Sequence, residues 1–494
     1  MPATDRRPGS APSAAWLISG AFRVLSAGET ALTDPCQMTA EALVAAFAGR
    51  RLSPVEATKA VLARIERHAP TFNTFTLVDA DRALDQARAA ELRYGAGTPL
   101  SAIDGVPTTI KGLSGVLGWP NQRGSRLIDP VPTTDEASWV ARLREAGVVM
   151  LGLTTSPEFG WKGLTDSPLT GITRNPWNPE RTPGGSSGGA AVAAACGFGP
   201  LHQGSDGAGS IRIPAAFTGV FGIKATFGRV PSYPSSAFRT VSHTGPITRT
   251  VRDGALMLNI LQRPDHRDPT ALPFGGTDWL DGIEAGARDV RIGYSPTLGG
   301  RAKLHPDVRA RVDAAVKTLA AIGAKVEEVD PDLPDHADSM LVMWSAAAAK
   351  LESMLPQDRL HLADPGFRAM AAIGRRQSTN DWLAADAVRI AMGRAMGAFL
   401  QRFDVLVTPT MPIPAFKAGQ DLSEPGQATW MDWSPFSYPF NMTRQPAASV
   451  PCGFASDGLP VGLHIVGRMY DEAMVLRVAR AYEHAMPPVF PKLG

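Results

Sequence analysis

Gly184-Gly185-Ser186-Ser187-Gly188-Gly189, then Gly204-Ser205-Asp206-Gly207-Ala208-Gly209-Ser210-Ile211-Arg212, are two small-residue strings separated by the alanine-rich run 190–195. The first fits three templates. A phosphate-binding loop needs a Lys-Ser/Thr pair to close it, and none follows. The pattern G-x-S-x-G of a nucleophile elbow would expose Ser186 on a strand-to-helix turn. Residues 175–183, however, contain Pro176, Pro179 and Pro183, and a segment with three prolines cannot be a central strand. A plain flexible loop is the third reading. The second string places Ser210 after a turn of small residues, whose N–H groups can converge on one point as an oxyanion hole requires. The run between the strings reads as a buried helix lying close to a sheet.

Working outward, residues 105–111 form a β-branched run that predicts a strand ending at Lys111. Ser53-Pro54-Val55-Glu56 has the form of a capping box, and helices are expected over 80–94 and 135–146. Strands follow at 148–153, 290–294, 324–329, 404–408 and 461–466. A helix is expected over 306–322, and 339–402 is largely helical. This alternation argues for an α/β layered architecture. No repeat and no linker divides the chain, so one large domain over 39–494 is expected behind an N-terminal extension or leading helix over 1–38.

Composition narrows the function classes. Among 494 residues, 49 Lys and Arg against 47 Asp and Glu leave +2, too weak a field to recruit nucleic acid or an anionic membrane. Residues 182–205 carry no charge, but seven glycines gain little from lipid, so no membrane span is expected. Arg6-Arg7 and the apolar stretch 14–22 loosely imitate a signal peptide, which Arg23 ends after nine residues. Cys36, Cys196 and Cys452 are too few and scattered for a disulfide framework or zinc site, and the nine histidines lack metal-ligand spacing. A cytoplasmic protein without metal or cofactor is expected.

With Lys111 at a strand end, the two serine loops supply a nucleophile, a relay hydroxyl and an amine base. Here the chain resembles the amidase signature family of Ser–cisSer–Lys hydrolases. The resemblance runs from Asn175-Pro176-Trp177 through Gly184–Gly189 to Asp206…Ser210-Ile211-Arg212-Ile213-Pro214-Ala215, with the family's spacing of 24 between Ser186 and Ser210. It continues in Gly219–Lys224, Asp404…Thr410, Gln445–Gly453, Leu459–Gly462 and Ile465–Gly467, covering about residues 39–485. It implies a single layered domain with a mixed central β-sheet covered by helices on both sides.

By position, the resemblance makes Ser210 the nucleophile, Ser186 the serine preceded by a cis peptide bond, and Lys111 the base. It makes the amides of Gly207, Ala208, Gly209 and Ser210 the oxyanion hole. Asp206 and Arg212 become a bracing pair, and Ser187 a support for the loop. Two positions depart from the family: Gly112 follows Lys111 where an aspartate is frequent, and Ala208 stands where glycine is usual. The chemistry is coherent, because a serine needs a neighbour to take its proton. Lysine becomes a base only when burial without a carboxylate lowers its pKa from near 10.4 to roughly 7–8.

The expected activity is hydrolysis of an amide or carbamate (urethane) C–N bond through an acyl-Ser210 intermediate, with a small-molecule substrate and a homodimer allowed. Trp430, Trp433, Phe436 and Tyr438 are candidates for an apolar or aromatic substrate pocket, or else for core; Met340, Met343 and Trp344 share that ambiguity. Three alternatives stand beside this reading. One is the glutaminase subunit of a tRNA-dependent amidotransferase. Another is a Ser-His-Asp esterase using Ser186 or Ser210 with His202 or His243. The last is a non-catalytic binding protein on the same scaffold.

Overall fold

The computed structural model describes residues 34–493. The extension expected over 1–38 falls outside the described residues up to position 33; residues 35–37 form a single 3₁₀ turn capped by Asp34. The strands in chain order are β1 (Phe75–Val78), β2 (Pro107–Lys111), β3 (Val149–Thr154), the short pair β4 (Asp166–Ser167) and β5 (Gly171–Ile172), and β6 (Leu201–Asp206). Then come β7 (Phe221–Lys224), β8 (His243–Thr248), β9 (Arg291–Tyr294), β10 (Lys325–Glu328), β11 (Val405–Pro409), β12 (Ala447–Phe454) and β13 (Pro460–Gly467). Eleven of them make one sheet, ordered β1-β3-β2-β6-β8-β7-β12-β13-β11-β9-β10. Parallel pairs at β3-β2-β6 and β11-β9-β10 flank an antiparallel middle, so the sheet is mixed.

The helices cover both faces because each presents an apolar stripe to the sheet. Helix Pro54–Phe72 starts on the expected capping box: Ser53 Oγ accepts from Glu56 N–H at 3.1 Å, and Glu56 Oε2 accepts from Ser53 N–H at 2.8 Å. Helix Pro306–Ala321 buries Val308, Val312, Val316 and Leu319 as the periodicity predicts. Helix Gly188–Cys196 is buried at every residue, which only small side chains allow between close layers. All three cysteines are buried and free. Among the described residues no helix is long and apolar enough to cross a membrane.

Strands β6, β7, β8 and β12 carry no clear β pattern, being rich in Gly, Ser and Pro; their pairing neighbours hold them in the sheet. This matters for the site. Strands β2 and β6 are parallel neighbours, so their carboxyl ends, Lys111 and Ser205-Asp206, emerge on the same edge, the usual place for a ligand in such a sheet.

Candidate active site

Lys111 is fully buried, and its amine meets three hydroxyls: Ser186 Oγ at 2.7 Å, Ser187 Oγ at 2.8 Å and Ser205 Oγ at 3.0 Å. No carboxylate lies within ion-pair distance among the described residues. Burial pulls its pKa down to about 7, and the more distant Asp206 charge only partly opposes this. The hydrogens can be assigned. Ser187 O–H donates to the Ser205 carbonyl at 3.1 Å, so Ser187 Oγ accepts from Lys111. A neutral amine then has one further N–H for Ser205 and a lone pair for the O–H of Ser186, whose hydroxyl has no other partner among the described residues.

The two loops are built for close approach. The Gly185–Ser186 peptide is cis. A Cβ on Gly185 would run into the Leu164 carbonyl. Thr165 Oγ1 donates to the Gly184 carbonyl at 2.8 Å and accepts from Gly188 N–H at 3.0 Å, bracing the loop from both sides. Gly112, in the position where aspartate is frequent, donates to the Thr154 carbonyl at 2.9 Å, so backbone holds the segment after Lys111.

The turn 206–210 rests on a buried ion pair. Asp206 Oδ2 accepts from Arg212 Nε at 2.9 Å and Oδ1 from Arg212 Nη2 at 3.0 Å. Arg212 also donates to the Ser437 carbonyl, His464 Nε2 and Asn441 Oδ1. Burial alone would raise the Asp206 pKa, but the Arg212 guanidinium and its other donors hold it well below the usual carboxylate range. Gly209 has φ +123°, and a Cβ there would strike Ser437, whose Oγ donates to the Ala208 carbonyl at 2.7 Å. Ala208 has no positive φ, so its methyl group is accommodated.

One expectation needs correction here. The Gly209 amide donates to Asp206 Oδ1 at 2.7 Å, so it is spent on bracing the turn and does not face a substrate. The amides of Gly207, Ala208 and Ser210 have no acceptor among the described residues. Ser210 is held beside the other loop by Ser187 N–H, which donates to its carbonyl at 3.2 Å. Its hydroxyl has no partner among the described residues and is not sealed from the surface.

Neither histidine reaches a serine of the loops. His202 bonds Thr109 Oγ1 and the Gly199 carbonyl, and burial pulls it down to about 3. His243 Nδ1 bonds the Val241 carbonyl at 2.9 Å. Ser205 escaped the sequence reading as a partner of the base, because only the pairing of β2 with β6 brings it there.

A cleft of about 130 Å³ reaches Ser205, with walls from Leu113, Trp139, Phe159, Phe238 and Leu351. Trp430, Trp433, Phe436 and Tyr438 do not line it. All four are buried in the core behind it, where Trp430 packs edge-on against Trp344 and Trp344 stacks on Phe238 at 3.8 Å. Phe238 and its neighbours, not these four, wall the cleft. A larger groove of about 760 Å³ runs along helix Pro54–Phe72 and edge strand β1, with none of these serines or Lys111 on its walls. No group of residues able to hold a metal occurs among the described residues.

Residues 56–476 match the protein family described as Amidase. The chain is similar to an acylamidase of Rhodococcus erythropolis, 36% identical over 462 residues that cover 91% of this chain and 96% of the relative. It is also similar to the A subunit of the glutamyl-tRNA(Gln) amidotransferase of Myxococcus xanthus, 36% identical over 482 residues, 92% of this chain and 97% of that protein. Among solved structures, a bacterial aryl acylamidase of the amidase signature family superposes with a TM-score of 0.85 at 30% identity, covering 91% of this chain and 96% of that one.

Proposed function

The chain belongs to the amidase family as an amidase signature enzyme hydrolysing C–N bonds other than peptide bonds, and from that premise we propose that it cleaves a small amide or carbamate, apolar or aromatic in body, through an acyl ester on Ser210. Ser210 Oγ attacks the carbonyl carbon while its proton passes through Ser186 to the neutral Lys111 amine. The amides of Gly207, Ala208 and Ser210 receive the oxyanion, and their free N–H groups support that role. As the C–N bond breaks, Lys111 returns the proton through Ser186 to the departing amine. Water then attacks the ester, its proton takes the same path, and Ser210 is regenerated as the acid leaves. A carbamate would pass through a carbamoyl or carbonate ester by the same steps.

The reading rests above all on the Lys111 amine, which is dry, without a counter-ion, brought down to a pKa of about 7, and 2.7 Å from Ser186 Oγ. Three reduced, buried cysteines suit a cytoplasmic setting. The test is product analysis on aliphatic amides, anilides, carbamates, esters and glutamine, with a fluorophosphonate to label the nucleophile. Ser210→Ala is expected to abolish turnover of every substrate and to remove the label. Hydrolysis that persists in this variant would overturn the assignment.

A second reading is favoured by the equal likeness to a component of an amidotransferase. Under it the same machinery would release ammonia from glutamine, and activity would appear only with tRNA and a partner protein. The apolar walls of the cleft favour a free-standing amidase.

A further inference from the structure

Arg123 is the one charged side chain on the cleft wall among the described residues. Its side chain is exposed at the mouth of the cleft, and its guanidinium makes no hydrogen bond and no ion pair with any described residue. Nearby, Arg359 shows the ordinary alternative, pairing with Asp129 at 3.0 Å. The backbone of Arg123, by contrast, is tightly held. Its N–H donates to Asn121 Oδ1 at 3.0 Å, and its carbonyl accepts from Phe159 N–H at 2.9 Å. Its φ is +52°, followed by +70° at Gly124, a left-handed pair in which Gly or Asn sits more easily than arginine. The surrounding bonds thus hold the Arg123 backbone in a conformation that its residue type disfavours, which fixes where the side chain leaves the chain at the cleft.

The cleft is completed by polar groups that also lack partners. The hydroxyls of Ser232, Ser235 and Ser242 line it and bond to no described residue. It is joined to the chemistry at two points. Ser205, bonded to Lys111, lies on its wall. Phe159, which holds the Arg123 carbonyl, precedes Gly160, where a Cβ would sit 3.4 Å from Ser186 Oγ. A guanidinium with no protein partner, on a cleft wall shared with serine hydroxyls and apolar side chains, matches a carboxylate with a hydrophobic body.

We infer that Arg123 binds a carboxylate of the substrate, so that the enzyme takes amides carrying an anionic group beside an apolar portion. This rests on the reading of the cleft as the substrate site of an amidase. The test separates binding from turnover. Calorimetry on Ser210→Ala protein compares 4-acetamidobenzoate with N-(4-methylphenyl)acetamide, and succinanilate with butyranilide, each pair differing by carboxylate against methyl. At least one carboxylate is expected to bind about ten- to hundredfold more tightly than its partner. That excess should vanish in Arg123→Asn, which suits the left-handed backbone and removes the guanidinium, and persist in part in Arg123→Lys. No excess in either pair, or an excess that survives Arg123→Asn, overturns the assignment. Wild-type cleavage of the two uncharged anilides without any binding excess removes the carboxylate site and leaves the amidase. An Arg123-dependent excess in a protein that cleaves none of the four leaves the site and removes the amidase reading.

Discussion

Lys111 and Lys162 are both buried, at 0% and 3% exposure, yet their surroundings drive their protonation in opposite directions. Around Lys162 stand Asp166 and Asp421 at 2.7 Å and Asp364 at 3.5 Å. Burial pulls Lys162 down, but these three carboxylates outweigh it and carry the amine above its ordinary pKa. Around Lys111 stand only hydroxyls, and burial brings it to about 7. Burial is common to both. The chemistry of the neighbours separates a structural cation from a candidate base, and hydroxyls solvate the amine without holding its proton.

The contrast is broken most severely by removing the base. Lys111→Met is expected to lower kcat by about 10³-fold or more on any amide the enzyme cleaves. Its stability should move the other way. The unfolded chain protonates this amine between about pH 7 and 10 while the native state does not, so wild-type stability rises with pH across that window. Denaturant titrations of the variant should lack this slope. Near pH 7 they should show a gain of about 1–2 kcal/mol, once the lost hydrogen bonds are set against the removed cost of neutralising the amine.

Ser205→Asp would instead turn Lys111 into a second Lys162. Wild-type kcat/KM is expected to rise through about pH 7 with unit slope as the amine loses its proton. In the variant that rise should shift upward by two to three pH units, a loss of roughly 10²–10³-fold at pH 7 that alkaline assay recovers. An unshifted profile would remove Lys111 from the role of base.

The smallest effect belongs to the other lysine. Lys162→Met should leave kcat within about threefold and cost about 1–3 kcal/mol at pH 7, because Asp166 and Asp364 lose their counter-ion while largely buried. Burial already raises the Asp166 pKa in the intact cluster. The penalty should therefore shrink toward pH 4, as Asp166 binds a proton in the native state.

Local signals are legible in the chain itself. The capping box at Ser53, the strand ending at Lys111 and the two serine loops each depend on residues a few positions apart. The parts that needed the fold depend on pairing. Ser205 becomes a partner of Lys111 only because β6 lies beside β2, and β6 itself has too much Gly and Ser to announce a strand. The Gly209 amide looks like its neighbours in sequence, yet the Asp206 side chain claims it. Trp430, Trp433, Phe436 and Tyr438 have the composition of either a pocket or a core, and only the layer in front of them, Trp344 and Phe238, makes them core.

Arg212 reaches forward to Ser437, Asn441 and His464, more than two hundred residues along the chain. The proposed triad has been synthesised by position 210, but the guanidinium that steadies its turn finds its last partner only when ribosomes have passed position 464. A nascent chain that stops before position 437 would therefore carry Lys111, Ser186 and Ser210 but lack these three partners of the guanidinium bracing the turn beside them.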